Sequence, residues 1–333
     1  MNFWADLPRP FFVLAPMDDV TDTVFRQIIA TTSPPDVYFT EFVSVDGLQS
    51  VGRDRLLKRL QMTPAEQPLV AQIWGKSPDK YYQTARQIAD GTFARELGLP
   101  DGLNFAGVDI NMGCPDKSIV KNGCCSALIN DRPLAAEIIQ AAQEGLACRL
   151  PLSLKTRVGF NKVDLSWIEF ILGHGLQALT IHGRTKSQMS KVPADWELIG
   201  QARRLRDKIS PNTKIIGNGD VRDRAHGAEL ASHHDLDGIM IGRGIFADPY
   251  AFAVNSPWEA MPPKDKIDLY RRHVQLFFTT WTGNERPIQT LNKFCKIYVN
   301  GFDGARELRE KLMKARTCTE LLDILNIDLT ERD

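Results

Sequence analysis

Eight short runs of apolar and β-branched residues, most of them followed by a helical pattern, constrain this chain more than any other feature. They cover residues 11–15, 37–41, 68–74, 107–111, 152–156, 178–182, 214–217 and 238–241. Helix-like spacing occupies residues 21–30, 53–60, a stretch opening at Ser77-Pro78-Asp79, one beginning near Pro133, and then residues 165–172, 196–209 and 222–231. Pro78 suits the first turn of a helix, where its missing N–H costs nothing. Parallel strands need long crossover connections, usually helices, so this alternation predicts a parallel sheet. Eight units closing on themselves predict an α/β fold of the (β/α)8 TIM-barrel type, which takes about 250 residues. An open doubly wound sheet is the alternative that periodicity leaves standing.

The alternation stops at residues 255–263, where Asn255-Ser-Pro-Trp-Glu-Ala-Met-Pro-Pro reads as a linker. Beyond it, residues 267–281, 288–300 and 306–325 carry helical spacing and no strand pattern. The expected organisation is a barrel over residues 1–254, a linker over 255–263 and a small all-helical C-terminal domain over 264–333. A chain that is 43% hydrophobic and 25% charged can bury a core of that size. The six cysteines (Cys114, Cys124, Cys125, Cys148, Cys295, Cys318) form no CxxC pair and no metal-ligand spacing with histidine. That usage fits a reducing compartment and predicts neither a disulfide framework nor a metal site. No apolar run approaches the roughly 20 residues of a membrane helix. The first residues lack the basic start and apolar core of a signal peptide, so a cytoplasmic, monomeric protein is expected.

Lys plus Arg and Asp plus Glu balance at 41 each, which by itself neither favours nor excludes a nucleic-acid partner. The distribution is uneven: residues 286–316 hold eight basic side chains against three acidic ones. Such a region is compatible with a phosphate-backbone footprint, and equally with a solvated helical face.

In a barrel of this type the C-terminal strand ends build the active site. Here they carry Pro16-Met17-Asp18, Glu41, Gln72, Asn111 with Cys114, Lys155 with Arg157, His182-Gly183-Arg184-Thr185, Asn218-Gly219-Asp220 and Gly242-Arg243-Gly244. Every expected strand ends in a group that can hydrogen-bond, titrate or approach a phosphate. Gly242-Arg243-Gly244 and Asn218-Gly219-Asp220 follow the last two strands, where barrels often bind phosphate. Lys155 and His182 can offer fixed charge or donors to an electron-rich ring, and Gln72 a donor and an acceptor to the edge of a flat heterocycle. Cys114 stands on a sharp Gly113-Cys114-Pro115 turn just past the fourth strand. Alone it would read as a small buried hydrophobe. On a strand end it can face a ligand.

Taken together, Ala15-Pro16-Met17, Val20-Thr21-Asp22, Thr40-Glu41, Gln72-Ile73-Trp74-Gly75, Asn111-Met112-Gly113-Cys114-Pro115, Lys155-Thr156-Arg157-Val158-Gly159, His182-Gly183-Arg184-Thr185, Asn218-Gly219-Asp220 and Ile241-Gly242-Arg243-Gly244 resemble the tRNA-dihydrouridine synthase family. The resemblance runs in order from about residue 11 to 250. It implies an FMN-binding barrel, a helical tRNA-binding domain, and NADPH as the reductant of FMN. It implies that Pro16, Met17, Asp18, Gln72, Lys155, His182, Asn218, Gly219, Asp220, Gly242 and Arg243 bind FMN. It further implies that Asn111, Arg157 and Arg184 hold the uracil and that Cys114 donates a proton to it. An acid of that kind is expected to be an ordinary thiol, mostly protonated at neutral pH. One departure stands out: Cys124 and Cys125 replace residues that are tiny in the family, and neither follows a strand end. A flavin barrel acting on a free pyrimidine, of the dihydroorotate dehydrogenase kind, is the rival enzyme. A non-catalytic RNA-binding barrel is the rival from another class.

Overall fold

The computed structural model describes residues 2–282 and 285–331, so residue 1, residues 283–284 and residues 332–333 of the expected segments lie outside it. The strands are β1 (Phe11–Leu14), β2 (Tyr38–Phe39), β3 (Val43–Ser44), β4 (Leu69–Trp74), β5 (Gly107–Met112), β6 (Leu152–Arg157), β7 (Ala178–His182), β8 (Lys214–Asn218) and β9 (Gly238–Ile241). They pair in the order β1-β9-β8-β7-β6-β5-β4-β2, with β3 beside β4. Every pairing is parallel. A bridge between Val13 and Val37 joins β1 to the chain entering β2, so the ring is nearly closed and an open sheet is ruled out.

β2 and β3 together fill one barrel position, Tyr38 pairing with Leu69 and Val43 with Ile73. The expected strand over 37–41 is cut short because Thr40 uses its hydroxyl to accept the Gln72 backbone N–H at 3.0 Å. Glu41 leaves the ladder at that break.

Helices Thr23–Thr32, Arg132–Leu146, Leu165–Leu172, Trp196–Ile209 and Arg224–His234 each open on an aspartate. Asp22, Asp131, Asp164, Asp195 and Asp223 accept a first-turn backbone N–H, which satisfies an otherwise orphaned donor and suits the helix dipole. The lower barrel lumen is apolar, filled by Phe11, Val13, Val37, Phe39, Val70, Ile216 and Met240, with Trp4 packed against Phe11 and Phe39. Polar inward residues begin above this plug, so the chemistry is confined to one mouth.

The C-terminal region is helical: Pro263–Thr280, Asn292–Tyr298, Ala305–Leu312 and Cys318–Glu331, with a 3-10 turn over Ile288–Leu291. The expected helix over 306–325 breaks after Leu312. Its second part restarts where the Thr317 hydroxyl accepts the Glu320 N–H at 3.1 Å and the Glu320 carboxylate accepts the Arg316 N–H at 2.7 Å. Phe25, on the first barrel helix, stacks on Phe294 at 4.9 Å and meets His273 at 5.8 Å. The linker packs rather than dangles, for Trp258 is buried between Tyr250 and Tyr298. Among the described residues no helix is long and apolar enough to cross a membrane.

Candidate active site

The C-terminal strand ends surround a cleft of about 730 Å³. Pro16 and Met17 after β1, Lys155 in β6, His182 ending β7, Asn218-Gly219-Asp220 after β8 and Gly242-Arg243-Gly244 after β9 all line it. Every residue expected to bind the cofactor is there except Asp18 and Gln72. The Asp18 carboxylate pairs instead with Arg59, outside the cleft. Gln72 lies wholly buried in β4, beneath the mouth.

Two loops shape the cleft's far end. Gly219 adopts φ +127°, and a Cβ there would stand 2.6 Å from Ala194 and 3.7 Å from His182, so only glycine keeps this backbone open to a ligand. Asp220 binds both Arg184 and Arg243, the latter at 3.0 Å, and accepts the Ala194 N–H at 2.9 Å. Burial works against the Asp220 anion, but these donors and cations outweigh it and lower its pKa. Asp220 therefore pins Arg243, more than half exposed, beside the cleft. Arg184, expected to touch substrate, has one nitrogen on Asp220 and another on the Val192 carbonyl.

Lys155 sits low in the cleft, where burial and the neighbouring Arg157 lower its pKa to about 8 against the pull of Asp109 and Cys114. It remains mostly charged at neutral pH. His182 is pushed well below its ordinary value, by burial first and then by Lys155, Arg157, Arg184 and Arg243. It is therefore a neutral imidazole, which, of the charge or donors expected at this position, leaves the hydrogen-bonding role. Among the described residues its buried Nδ1 has no hydrogen-bond partner.

Asn111 and Arg157 both hold the turn that carries Cys114. Asn111 Oδ1 accepts the backbone N–H of Gly113 at 3.0 Å and of Cys114 at 2.9 Å. Arg157 Nε donates to the Gly113 carbonyl at 2.7 Å. The Cys114 carbonyl accepts the Ser126 hydroxyl at 2.8 Å, which folds the following loop back onto the turn. That fold puts Cys125 beside Cys114. A hydrogen bond from the Cys125 thiol is the largest cause lowering Cys114 to about 7; burial opposes it, while the Asp116 N–H and Arg157 assist. Cys125 itself is fully buried and held well above the ordinary thiol range by that burial. Against the expectation of an ordinary thiol, Cys114 is thus lowered below the usual thiol range.

Sequence reasoning missed Asp109. It lies mid-strand in β5, fully buried, accepting Gln72 Nε2 and Ser153 Oγ at 2.7 Å each. The available signal was an acid between Val108 and Ile110, on the same strand face as Asn111.

Part of the basic region faces inward. Arg286 forms a two-pronged pair with Glu41 and lies 3.6 Å from Asp22, and Lys293 donates to the Asp19 carbonyl at 2.7 Å. Lys296, Lys311, Lys314 and Arg316 remain exposed.

A family model described as dihydrouridine synthase (Dus) matches residues 13–332. The chain is 44% identical over 328 residues to the probable tRNA-dihydrouridine synthase 2 of Bacillus subtilis (strain 168), covering 98% of this chain and 96% of the relative. It is 43% identical over 328 residues to the probable tRNA-dihydrouridine synthase of Staphylococcus aureus (strain COL), covering 98% and 95%. Among solved structures, histamine dehydrogenase from Rhizobium sp. 4-9 superposes with TM-score 0.52 at 12% identity, over 80% of this chain and 48% of that one. A 2-naphthoyl-CoA reductase superposes with TM-score 0.51 at 12% identity, over 72% and 49%. The two structures share the barrel fold alone. The match over nearly the whole chain, and the identity to relatives of the same length, show that the chain belongs to the dihydrouridine synthase (Dus) family.

Proposed function

We propose that the protein reduces the 5,6 double bond of uridine in tRNA to dihydrouridine, with FMN in the cleft and NADPH as reductant. The observation that carries this reading is the cleft itself. It joins two glycine-bearing loops and Arg243 to a charged Lys155 and a neutral His182 whose Nδ1 has no partner among the described residues, while Arg157, two residues after Lys155, holds the Cys114 turn. These residues fit FMN: open backbone and a guanidinium suit its phosphate, while Lys155 and His182 suit a ring on which negative charge develops. When bound, FMN would supply the two-electron chemistry that brings the hydride of NADPH to carbon 6 of the uracil.

The protein's own residues do the rest. Gln72, beneath the mouth, supports Asn111 rather than meeting the ring, and Asn111, Arg157 and Arg184 hold the uracil. Cys114 Sγ–H protonates carbon 5, leaving a thiolate that the Cys125 hydrogen bond and Arg157 stabilise. The uracil must leave its stack to enter, at a cost of a few kcal/mol. Exposed Lys296, Lys311, Lys314 and Arg316, within a tRNA-binding domain over 264–333, offset that cost through phosphate contacts. The protein works as a cytoplasmic monomer.

Position-resolved mapping of dihydrouridine in tRNA, with and without the gene, tests the reaction, and unchanged maps in a strain lacking redundant enzymes would overturn it. Purified protein should carry or take up FMN. Cys114→Ala should still bind FMN yet lose about 10²–10⁴-fold in tRNA reduction, the usual worth of a positioned acid. Because an acid must be protonated, the wild-type rate should fall as pH rises through about 7, and again through about 8 as Lys155 loses its charge. Cys114→Ser should be slow and should lose the first of these steps.

A further inference from the structure

We propose that Asp109 is a positioning residue: through Gln72 and Asn111 it sets the hydrogen-bond sense of the turn that carries Cys114. The effect on catalysis rests on the function proposed above; the effect on the turn does not.

A carboxylate with no exposed surface in the middle of an apolar strand loses its hydration and must recover it from the protein. Asp109 recovers it without a cation, since among the described residues no Lys, Arg or His lies within ion-pair distance of it. Its two hydrogen bonds come from neutral groups, the Gln72 amide and the Ser153 hydroxyl, both at 2.7 Å. Strand register sets this up, aligning Asp109 with Gln72 of β4 and with Ser153 of β6. Burial pushes the carboxyl up to about 6 against the Ser153 and Gln72 hydrogen bonds and the charge of Lys155, which favour the anion, and both oxygens accept as those of a carboxylate do.

An ionised carboxylate only accepts. Gln72 must therefore turn its NH2 toward Asp109, which turns its carbonyl the other way. That carbonyl accepts Asn111 Nδ2 at 3.0 Å, so the Asn111 NH2 is committed to Gln72. Asn111 Oδ1 is left facing the two backbone N–H groups of Gly113 and Cys114. Each amide has a donor end and an acceptor end, and the anion at the head of the row decides which way both point. With either amide reversed, Asn111 would aim N–H at N–H and the turn would lose its two anchors. The second branch, from Asp109 to Ser153, leads away from Cys114.

Two properties follow that space-filling alone would not produce. Asparagine at position 109 can accept from Gln72 while donating to Ser153, so it keeps the sense of the row, whereas leucine abolishes it. Cutting the row at Gln72 should affect Cys114, whereas removing the Ser153 hydroxyl, also a buried bond to Asp109, should not.

The test is the pH profile of iodoacetamide alkylation at Cys114, read by peptide mass spectrometry in FMN-free protein. It is run beside kcat and KM for tRNA in the FMN-loaded enzyme. Asp109→Leu and Gln72→Met should slow alkylation at pH 7 at least threefold, as the thiol drifts back toward its ordinary range, and lower kcat at least tenfold with KM within twofold. Asp109→Asn and Ser153→Ala should stay within twofold of wild type in alkylation. The proposal is overturned if Asp109→Leu leaves the Cys114 profile unchanged, or if Asp109→Asn is as impaired as Asp109→Leu, since charge rather than hydrogen-bond sense would then be at work. Should Asp109→Leu not fold, Gln72→Met against Ser153→Ala decides, and equal profiles for those two overturn it. A shifted profile in a protein whose wild type reduces no uridine would uphold the positioning and reject the proposed reaction.

Discussion

Asp109 and Glu41 both have no exposed surface, and burial pushes the carboxyl of each upward, yet the molecule treats them differently. Asp109 sits inside the barrel and is satisfied by an amide and a hydroxyl. Glu41 sits where β2 breaks off, and it is satisfied by the guanidinium of Arg286, 245 residues away in the chain. A neutral donor responds to a carboxylate by orienting, so Asp109 can transmit direction to its neighbours. A guanidinium responds by staying, so Glu41 can clamp one part of the chain to another. The surroundings agree with this division. Near Arg286 are Asp22, whose carboxylate also takes Trp281 Nε1 at 3.1 Å, and Asp19, whose carbonyl takes Lys293. The Glu41 cluster is a joint between barrel and helical region; the Asp109 cluster is part of the site.

The largest effect should come from breaking the joint. Arg286→Met leaves Glu41 without its main counter-charge, and removal of one partner from a buried pair typically costs about 3–5 kcal/mol. Chemical denaturation should show that loss at neutral pH. The defect should shrink on acidification, because an unpaired buried Glu41 titrates higher still and escapes its charge by taking up a proton. Replacing both partners, Glu41→Leu with Arg286→Met, should recover at least half, since well-packed apolar groups often replace a buried ion pair at little cost. If the single and double replacements were equally unstable, the pair would not be the clamp.

The same contrast explains what could be read from the chain beforehand. Residues 165–172, 178–182, 196–209 and 238–241 match their elements because period and flanking turns are local properties. The break after Phe39 was invisible because it depends on Gln72 and Arg286, remote in sequence. The restart at Thr317 carried a local cue in Thr317-Cys-Thr-Glu320, a capping sequence inside what otherwise read as one helix. At the site, polar strand ends were legible because a barrel gathers them at one mouth. Asp109 was passed over because it is not a strand end, and an acid among β-branched residues looks like ordinary alternation. Arg286 was read as part of a basic surface because charge counts do not show which way a side chain faces. The lowered pKa of Cys114 depends on Cys125, brought beside it only when the loop folds back.

A smaller effect should follow at Asp109, with a pH dependence that betrays its environment. Its folded pKa, about 6, lies above the unfolded value of about 3.9. A group raised in this way favours the folded state only while it is protonated. The wild type should therefore lose stability relative to Asp109→Asn as pH rises from about 4 to about 6, then stay level. Asp109→Asn should accordingly be no less stable than wild type at pH 7, to within about 1 kcal/mol, the scale of one hydrogen bond. Thermal melts of both proteins across that window measure it. A gap that widened toward acid would mean that the surroundings of Asp109 favour its anion over its acid, and the reading of a carboxylate held by neutral donors against burial would fail.

The smallest effect belongs to a pair that has the charges of the joint without its burial. Arg306 and Glu310 face each other one turn apart on the helix Ala305–Leu312, at 3.1 Å, with side chains 80% and 58% exposed. Water solvates both partners before and after the contact forms, and salt screens what attraction remains. Glu310→Gln should therefore cost no more than about 0.5 kcal/mol, and that cost should vanish in high salt. Arg286→Met should keep most of its cost in the same buffer, because mobile ions cannot reach a buried Glu41. Denaturation of both variants at low and high salt separates the two cases. Equal salt sensitivity would place Arg286 among the surface charges, where its residue type and neighbours in the chain had first put it.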